Sequence, residues 1–172
     1  MKRMALCWVG LTLMAVLSSA PPSIDPKVLG QLKAVMPSAE SFSPKEGVPP
    51  HFTGYGSGPA GGQLPVVGYA FWTTEVEPLE RGYDGPIKIL VGMDTKGILT
   101  GVLVTEHHEP YGSFSVEPPR FAAQFKGKNI RDPFKIGEDV DAVSRATISL
   151  TSASRAIRNS SRRVARAVMT QP

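Results

Sequence analysis

Sulfur chemistry is almost absent from this chain. Cys7 is the one cysteine among 172 residues. A lone thiol cannot close a disulfide within the chain, furnish the cysteines of an iron–sulfur cluster, or form a Cys-x-x-Cys-His haem attachment. Histidine is also scarce: His51, His107 and His108 are the full set. A three-histidine zinc site would need all of them to converge. Successive strand residues face opposite ways, so His107 and Glu109 could share one face while His108 points away. No metal site is expected. No serine sits in a Gly-x-Ser-x-Gly elbow. Gly54-Tyr55-Gly56-Ser57-Gly58 looks like a phosphate loop, but no Lys-Ser/Thr follows it and no strand precedes it, so it reads as plain loop. There is no internal repeat and no sign of a second domain.

Long hydrophobic runs are missing too, with one exception at the start. Lys2 and Arg3 precede an apolar run at 4–17. At about 14 residues it falls short of the roughly 20 that a membrane span needs. Ser18-Ser19-Ala20 then offers small side chains. This is the layout of a secretory signal peptide cleaved after Ala20, with an uncleaved anchor as the other reading. The expected organisation is a signal peptide at 1–20 and a single domain at 21–172, soluble outside the cytoplasmic membrane, for instance in a periplasm. Cleavage would remove Cys7 with Lys2 and Arg3, taking the formal charge from +4 to +2. An exported protein of that charge is not expected to bind nucleic acid.

Along the mature chain, Asp25-Pro26 reads as an N-cap and first-turn proline. Val28, Leu29, Leu32, Val35 and Met36 follow on one helical face, and Pro37 stops the helix. Residues 38–62 are rich in Ser, Pro and Gly and read as loop. Strands are expected at 66–76 and 86–93. Asp94-Thr95-Lys96-Gly97 is a turn, and 98–105 returns as the second arm of a hairpin. A short helix follows at 120–125, then an extended piece at 136–143. From about Ser149 the chain is helical, with Leu150, Ala153, Ile157, Ser161, Val164 and Val168 at helical spacing. Arg155, Arg158, Arg162 and Arg166 form the opposite stripe, with Arg163 nearby. That stripe is either a solvated face or a docking surface for an acidic partner. These elements add up to an α+β domain: an antiparallel sheet of about four to six strands flanked by helices, with a basic amphipathic C-terminal helix packed on it.

The most informative segment is Asp141-Ala142-Val143-Ser144-Arg145-Ala146-Thr147, where extended chain gives way to that helix. Helix N-termini present free N–H groups and partial positive charge, which suits a phosphate, and Arg145 could add a charge-assisted contact. The plainer reading is that these hydroxyls cap the helix. The segment resembles the flavin-attachment motif of FMN-binding domains: Asp, two residues, Ser or Thr, usually Gly, then Ala and Thr. Arg145 stands where Gly is usual. Gly82-Tyr83-Asp84-Gly85-Pro86-Ile87 is similar to the Gly-Tyr-x-Gly-Pro-Ile element of the same family. Glu106-His107-His108-Glu109-Pro110 resembles a stretch of the periplasmic FMN-binding domain of NosR/NirI-type nitrous-oxide-reductase regulators. The likeness covers roughly residues 25 to 165.

The resemblance implies FMN held covalently, through its phosphate, on Thr147. An ApbE-type flavin transferase would attach it. Asp141, Ser144, Arg145, Ala146, Gly85, Pro86 and Glu109 are the further cofactor-binding positions. The implied role is electron transfer to or from a membrane or periplasmic redox protein. A flavin-binding sensor or assembly subunit and a small flavin reductase remain as alternatives. Tyr111, Phe114, Phe121 and Trp72 are candidates to cover the isoalloxazine, each open between that role and core packing. Arg120 could be a surface charge or a contact to phosphate or flavin carbonyl.

Overall fold

A computed structural model describes residues 23–59 and 61–169; the expected signal peptide and its cleavage site lie outside the described residues. Helix α1 (Pro26–Val35) begins as the sequence requires, with the Asp25 carboxylate accepting from the N–H groups of Lys27 and Val28 at 2.8 and 3.3 Å. A five-stranded sheet follows, made of β1 (Ser41–Phe42), β2 (Phe52–Tyr55), β3 (Val66–Trp72), β4 (Lys88–Asp94) and β5 (Leu99–Glu106). Each strand pairs antiparallel with the next, giving the order β1-β2-β3-β4-β5. The helices are α2 (Thr73–Val76), a 3-10 turn at Gly112–Phe114, α3 (Pro119–Ala123) and the long α4 (Thr147–Met169), with turns and irregular chain between them. The domain is α+β, as expected.

Strand alternation divides the apolar side chains between two cores. Ile89, Val91 and Met93 of β4 and Phe71 of β3 face α4, meeting Leu150, Ala153, Ile157 and Val164. Leu90, Ala70 and Trp72 face the other way, onto Leu32, Val35 and Met36 around α1. Fully burying one Leu, Ile or Val is worth about 1.5–3 kcal/mol, so the α4 face alone is a major source of stability. α1 lies very close to the sheet, because a β-carbon on Gly92 or Gly101 would meet the Val35 backbone. The Thr100 hydroxyl donates to the Val35 carbonyl at 2.6 Å and satisfies the helix end.

The structure corrects four sequence expectations. Residues 38–62 are not all loop. β1 and β2 lie within them, and Gly54 and Tyr55 of the glycine-rich stretch are strand residues. Gly54 is there because a β-carbon would collide with the Met36 sulfur. The strand expected at 66–76 ends at Trp72, where Thr73 Oγ1 accepts from Ile89 N–H at 3.2 Å and donates to the Ile87 carbonyl at 3.3 Å. That side chain replaces the ladder and lets the backbone turn into α2. The extended piece at 136–143 is instead a set of turns. The Asp139 carboxylate gathers the N–H groups of Phe134 (3.1 Å) and Lys135 (2.6 Å) and the Lys128 ammonium (3.2 Å).

The fourth correction concerns the arginine stripe of α4, which clamps the fold rather than simply facing solvent. Arg155 makes a bidentate pair with Glu80 at 2.8 and 2.6 Å. Arg158 donates to the Pro133 carbonyl, and Arg162 to the carbonyls of Ile130 (2.6 Å) and Asp132 (2.9 Å). Arg163 reaches the Val76 carbonyl at 3.2 Å. Among the described residues no helix is long and apolar enough to cross a membrane.

Candidate functional site

Thr147 is exposed and is the first residue of α4. The residue before it, Ala146, supplies the carbonyl that accepts from Leu150 N–H at 3.0 Å. Ala146 therefore occupies the N-cap position, yet it has no side-chain oxygen to satisfy the first-turn donors. Among the described residues, nothing accepts a hydrogen bond from the N–H of Thr147, Ile148 or Ser149. A 23-residue helix thus aims its positive end and open donors at the Thr147 surface. Such an end is suited to a phosphate.

Arg145 precedes this helix in a left-handed conformation, with φ 68°. For a residue with a β-carbon that geometry costs about 1–2 kcal/mol, and glycine adopts it freely. This explains physically why the motif usually carries Gly here. The tight turn also buries Ala146 in the α4-side core while leaving Arg145 and Thr147 outside.

A cleft of about 300 Å³ opens at this corner, lined by Tyr83, Pro110, Tyr111, Arg145, Thr147 and Ile148, among others. Glu109 lies beneath it and is only 6% exposed. Its carboxylate accepts from the backbone N–H of Tyr83 and of Asp84, each at 3.1 Å, and from the Ser149 hydroxyl. One side chain therefore ties the end of β5 to the 82–85 loop and to the first turn of α4. Gly82 must be glycine, because a β-carbon would collide with that carboxylate. Gly85 closes the same loop at φ 117°, its carbonyl accepting from Gly82 N–H at 2.7 Å.

His107 supports Glu109 from behind. Its Nδ1 accepts from the Glu109 N–H at 3.1 Å, which places the ring proton on Nε2, 3.0 Å from Glu117 Oε1. Gly112 packs against this ring so closely that no β-carbon would fit. His107 and Glu109 do face inward together, and His108 is exposed.

The structure brings some motif residues together and separates others. Arg145, Ala146 and Thr147 line one cleft. Asp141 lines a neighbouring one of about 280 Å³ with Arg120 and Gln124, and its N–H donates to Gln124 Oε1 at 2.6 Å. Ser144 is exposed in the turn between them. Gly85 and Pro86 shape the loop and the entry to β4 and line neither cleft. Glu109 acts through Tyr83, Asp84 and Ser149. Of the aromatic candidates, Phe121 (1% exposed) and Trp72 (7%) are core residues, and Trp72 lies on the opposite face of the sheet. Tyr111 and Phe114 are at the surface, with ring centroids 5.4 Å apart. Arg120 donates to the Phe114 carbonyl at 3.3 Å.

Sequence reasoning does not reach Tyr83 and Ser149 as site residues. The available signal for Tyr83 is its place between Gly82 and Asp84 in a loop that needs a carboxylate to hold it. A larger concavity, about 700 Å³, runs along β5 beside α3; Glu106 and His107 line it, but neither the 141–147 segment nor the 82–87 loop reaches it.

Fold, motif and site together resemble those of a flavin-binding domain. Residues 82–163 match the FMN-binding domain family. An ion-translocating oxidoreductase complex component from Haemophilus influenzae is 49% identical over 47 residues, 27% of this chain and 21% of that protein. The corresponding component from Photorhabdus laumondii is 36% identical over 101 residues, 53% of this chain and 46% of that protein. The chain spans less than half the length of these curated relatives. Both relatives belong to ion-translocating complexes; neither is a nitrous-oxide-reductase regulator, the branch that the His-His-Glu-Pro stretch resembles.

Proposed function

We propose that this is an exported flavoprotein domain that carries FMN covalently on Thr147 and exchanges electrons with a membrane or extracytoplasmic redox partner. The observation that carries the reading is the Thr147 hydroxyl: exposed, at the first position of α4, beside N–H donors that have no acceptor among the described residues. Those donors and the Arg145 guanidinium offer what a phosphodiester needs, aligned dipoles and one cation. The other hydroxyls nearby are less suited. Ser149 is buried and donates to Glu109, while Ser144 lies outside the cleft.

Loading needs FAD and an ApbE-type flavin transferase. Thr147 Oγ forms the new bond to the phosphorus of the FMN half. The pyrophosphate bond breaks, AMP leaves with the bonding electrons, and the hydroxyl proton passes to the transferase. Once bound, the flavin supplies the redox chemistry. The chain holds the phosphate, sets the ring's surroundings and keeps the cofactor from diffusing away. Two relatives that are components of ion-translocating oxidoreductase complexes support a place in such an assembly. The test is co-expression with an ApbE-type transferase and intact-mass measurement. Wild type gains the mass of FMN less water, and Thr147→Ala does not. An adduct that persists in Thr147→Ala refutes the assignment.

A further inference from the structure

We infer that Tyr83 and Tyr111 are the walls of an isoalloxazine site, an inference that rests on the Thr147 reading. Tyr83 is 69% exposed and Tyr111 46%, so each leaves a large ring in water beside Thr147. Aromatic rings are among the side chains that gain most from burial, so two on one small cleft indicate a missing flat ligand.

Both are presented from fixed backbone rather than from loose loops. The Tyr83 N–H is held by Glu109, and the 82–85 loop is closed on itself. The Tyr111 carbonyl accepts from the Ser115 hydroxyl at 2.8 Å, and Phe114 backs the Tyr111 ring at an interplanar angle of 40°. Pro110 and Ile148 complete an apolar lining. Among the described residues no carboxylate lines the cleft, and Arg145 is its one charged lining residue. Aromatic and aliphatic walls with a single cation and an open helix N-terminus match a flat, uncharged ring system joined to an anionic tail. A phosphoester on Thr147 tethers such a ring at the mouth of this cleft. The buried Trp72 and Phe121 cannot serve.

The experiment loads wild type, Tyr83→Leu, Tyr111→Leu and the two Tyr→Phe variants with FMN by co-expression with the transferase. It then reads intact mass, flavin fluorescence yield and visible circular dichroism. Leucine keeps apolar bulk and removes the ring; phenylalanine keeps the ring. The inference expects full loading throughout and a several-fold rise in flavin fluorescence in each Leu variant. It also expects a changed visible dichroism there, with both signals near wild type in the Phe variants. Leu variants that are fully loaded and spectroscopically identical to wild type overturn it. Failure of the Thr147 reading looks different, because wild type itself then lacks the mass. In that case titration with free FMN decides, the walls requiring weaker binding in both Leu variants and equal binding overturning them.

Discussion

Glu109 is the residue whose loss should disturb the site most. Its buried carboxylate receives the Ser149 hydroxyl and the backbone N–H groups of Tyr83 and Asp84. Hydrogen bonds to a charged group contribute about 1.5–3 kcal/mol each. Tyr83 and Asp84 are exposed, so water can replace most of what their N–H groups lose. Ser149 is buried and cannot be rescued that way. Glu109→Ala should therefore destabilise the domain by about 3 kcal/mol, the upper end of the cost of leaving a buried donor without its partner. At roughly 2–4 °C per kcal/mol for a domain of this size, the melting temperature falls by about 6–12 °C. Glu109→Gln keeps the shape and one acceptor oxygen, so its cost should be about half. A double-mutant cycle with Ser149→Ala should show coupling of about 1–2 kcal/mol, as expected for groups in direct contact. Urea denaturation followed by far-UV circular dichroism measures all of this. Loss below about 1 kcal/mol in Glu109→Ala, or zero coupling to Ser149, would refute the claim that this carboxylate holds the corner together.

Three more expectations follow from the same geometry. Arg145→Gly relieves a left-handed backbone, and after the greater chain entropy of glycine the net gain should be about 0.5–1 kcal/mol. Chemical denaturation checks this, and the variant should still accept FMN, with a shifted flavin potential or mobility if the guanidinium meets the phosphate. Burial alone would raise the Asp139 pKa. The Lys135 N–H, the Lys128 ammonium and the Phe134 N–H outweigh it and hold the carboxyl below its usual 3.8. Its stabilisation is present above that value and lost as pH falls through the lower folded value. Asp139→Asn should therefore be less stable than wild type at neutral pH, with the gap closing below pH 3.8 in acid-denaturation curves. Arg162→Ala frees the carbonyls of Ile130 and Asp132. It should cost about 2 kcal/mol and speed amide hydrogen exchange in the 129–133 turn ahead of the sheet.

Much of the scaffold is legible in the sequence because its signals are local. Asp25-Pro26 caps α1, and the Asp94 carboxylate accepts from Lys96 and Ile98 N–H at 2.8 Å each to turn β4 into β5. The start of α4 at Thr147 is legible to within two residues, and so is the apolar seam of Leu150, Ile157 and Val164. What escapes depends on partners distant in the chain. β1 and β2 are too short and too rich in Ser, Thr and Gly to alternate visibly, and they exist because β3 offers an edge. The arginines of α4 read as a solvated or docking stripe, since nothing local tells that the 130–133 carbonyls lie within reach. Glu109 stands out in the sequence as a cofactor contact. Its attachment to Ser149, forty residues on, is visible only once β5 and α4 are placed.

The central claim is that the Thr147 oxygen bears the flavin phosphate. The most direct measurement is tandem mass spectrometry of proteolytic peptides from protein co-expressed with an ApbE-type transferase and recovered after export. The account predicts one FMN adduct, on the peptide that contains Thr147, with fragment ions placing it on that residue. An adduct on Ser144, Ser149 or any other residue would contradict it, as would fully transferase-treated wild type that carries none.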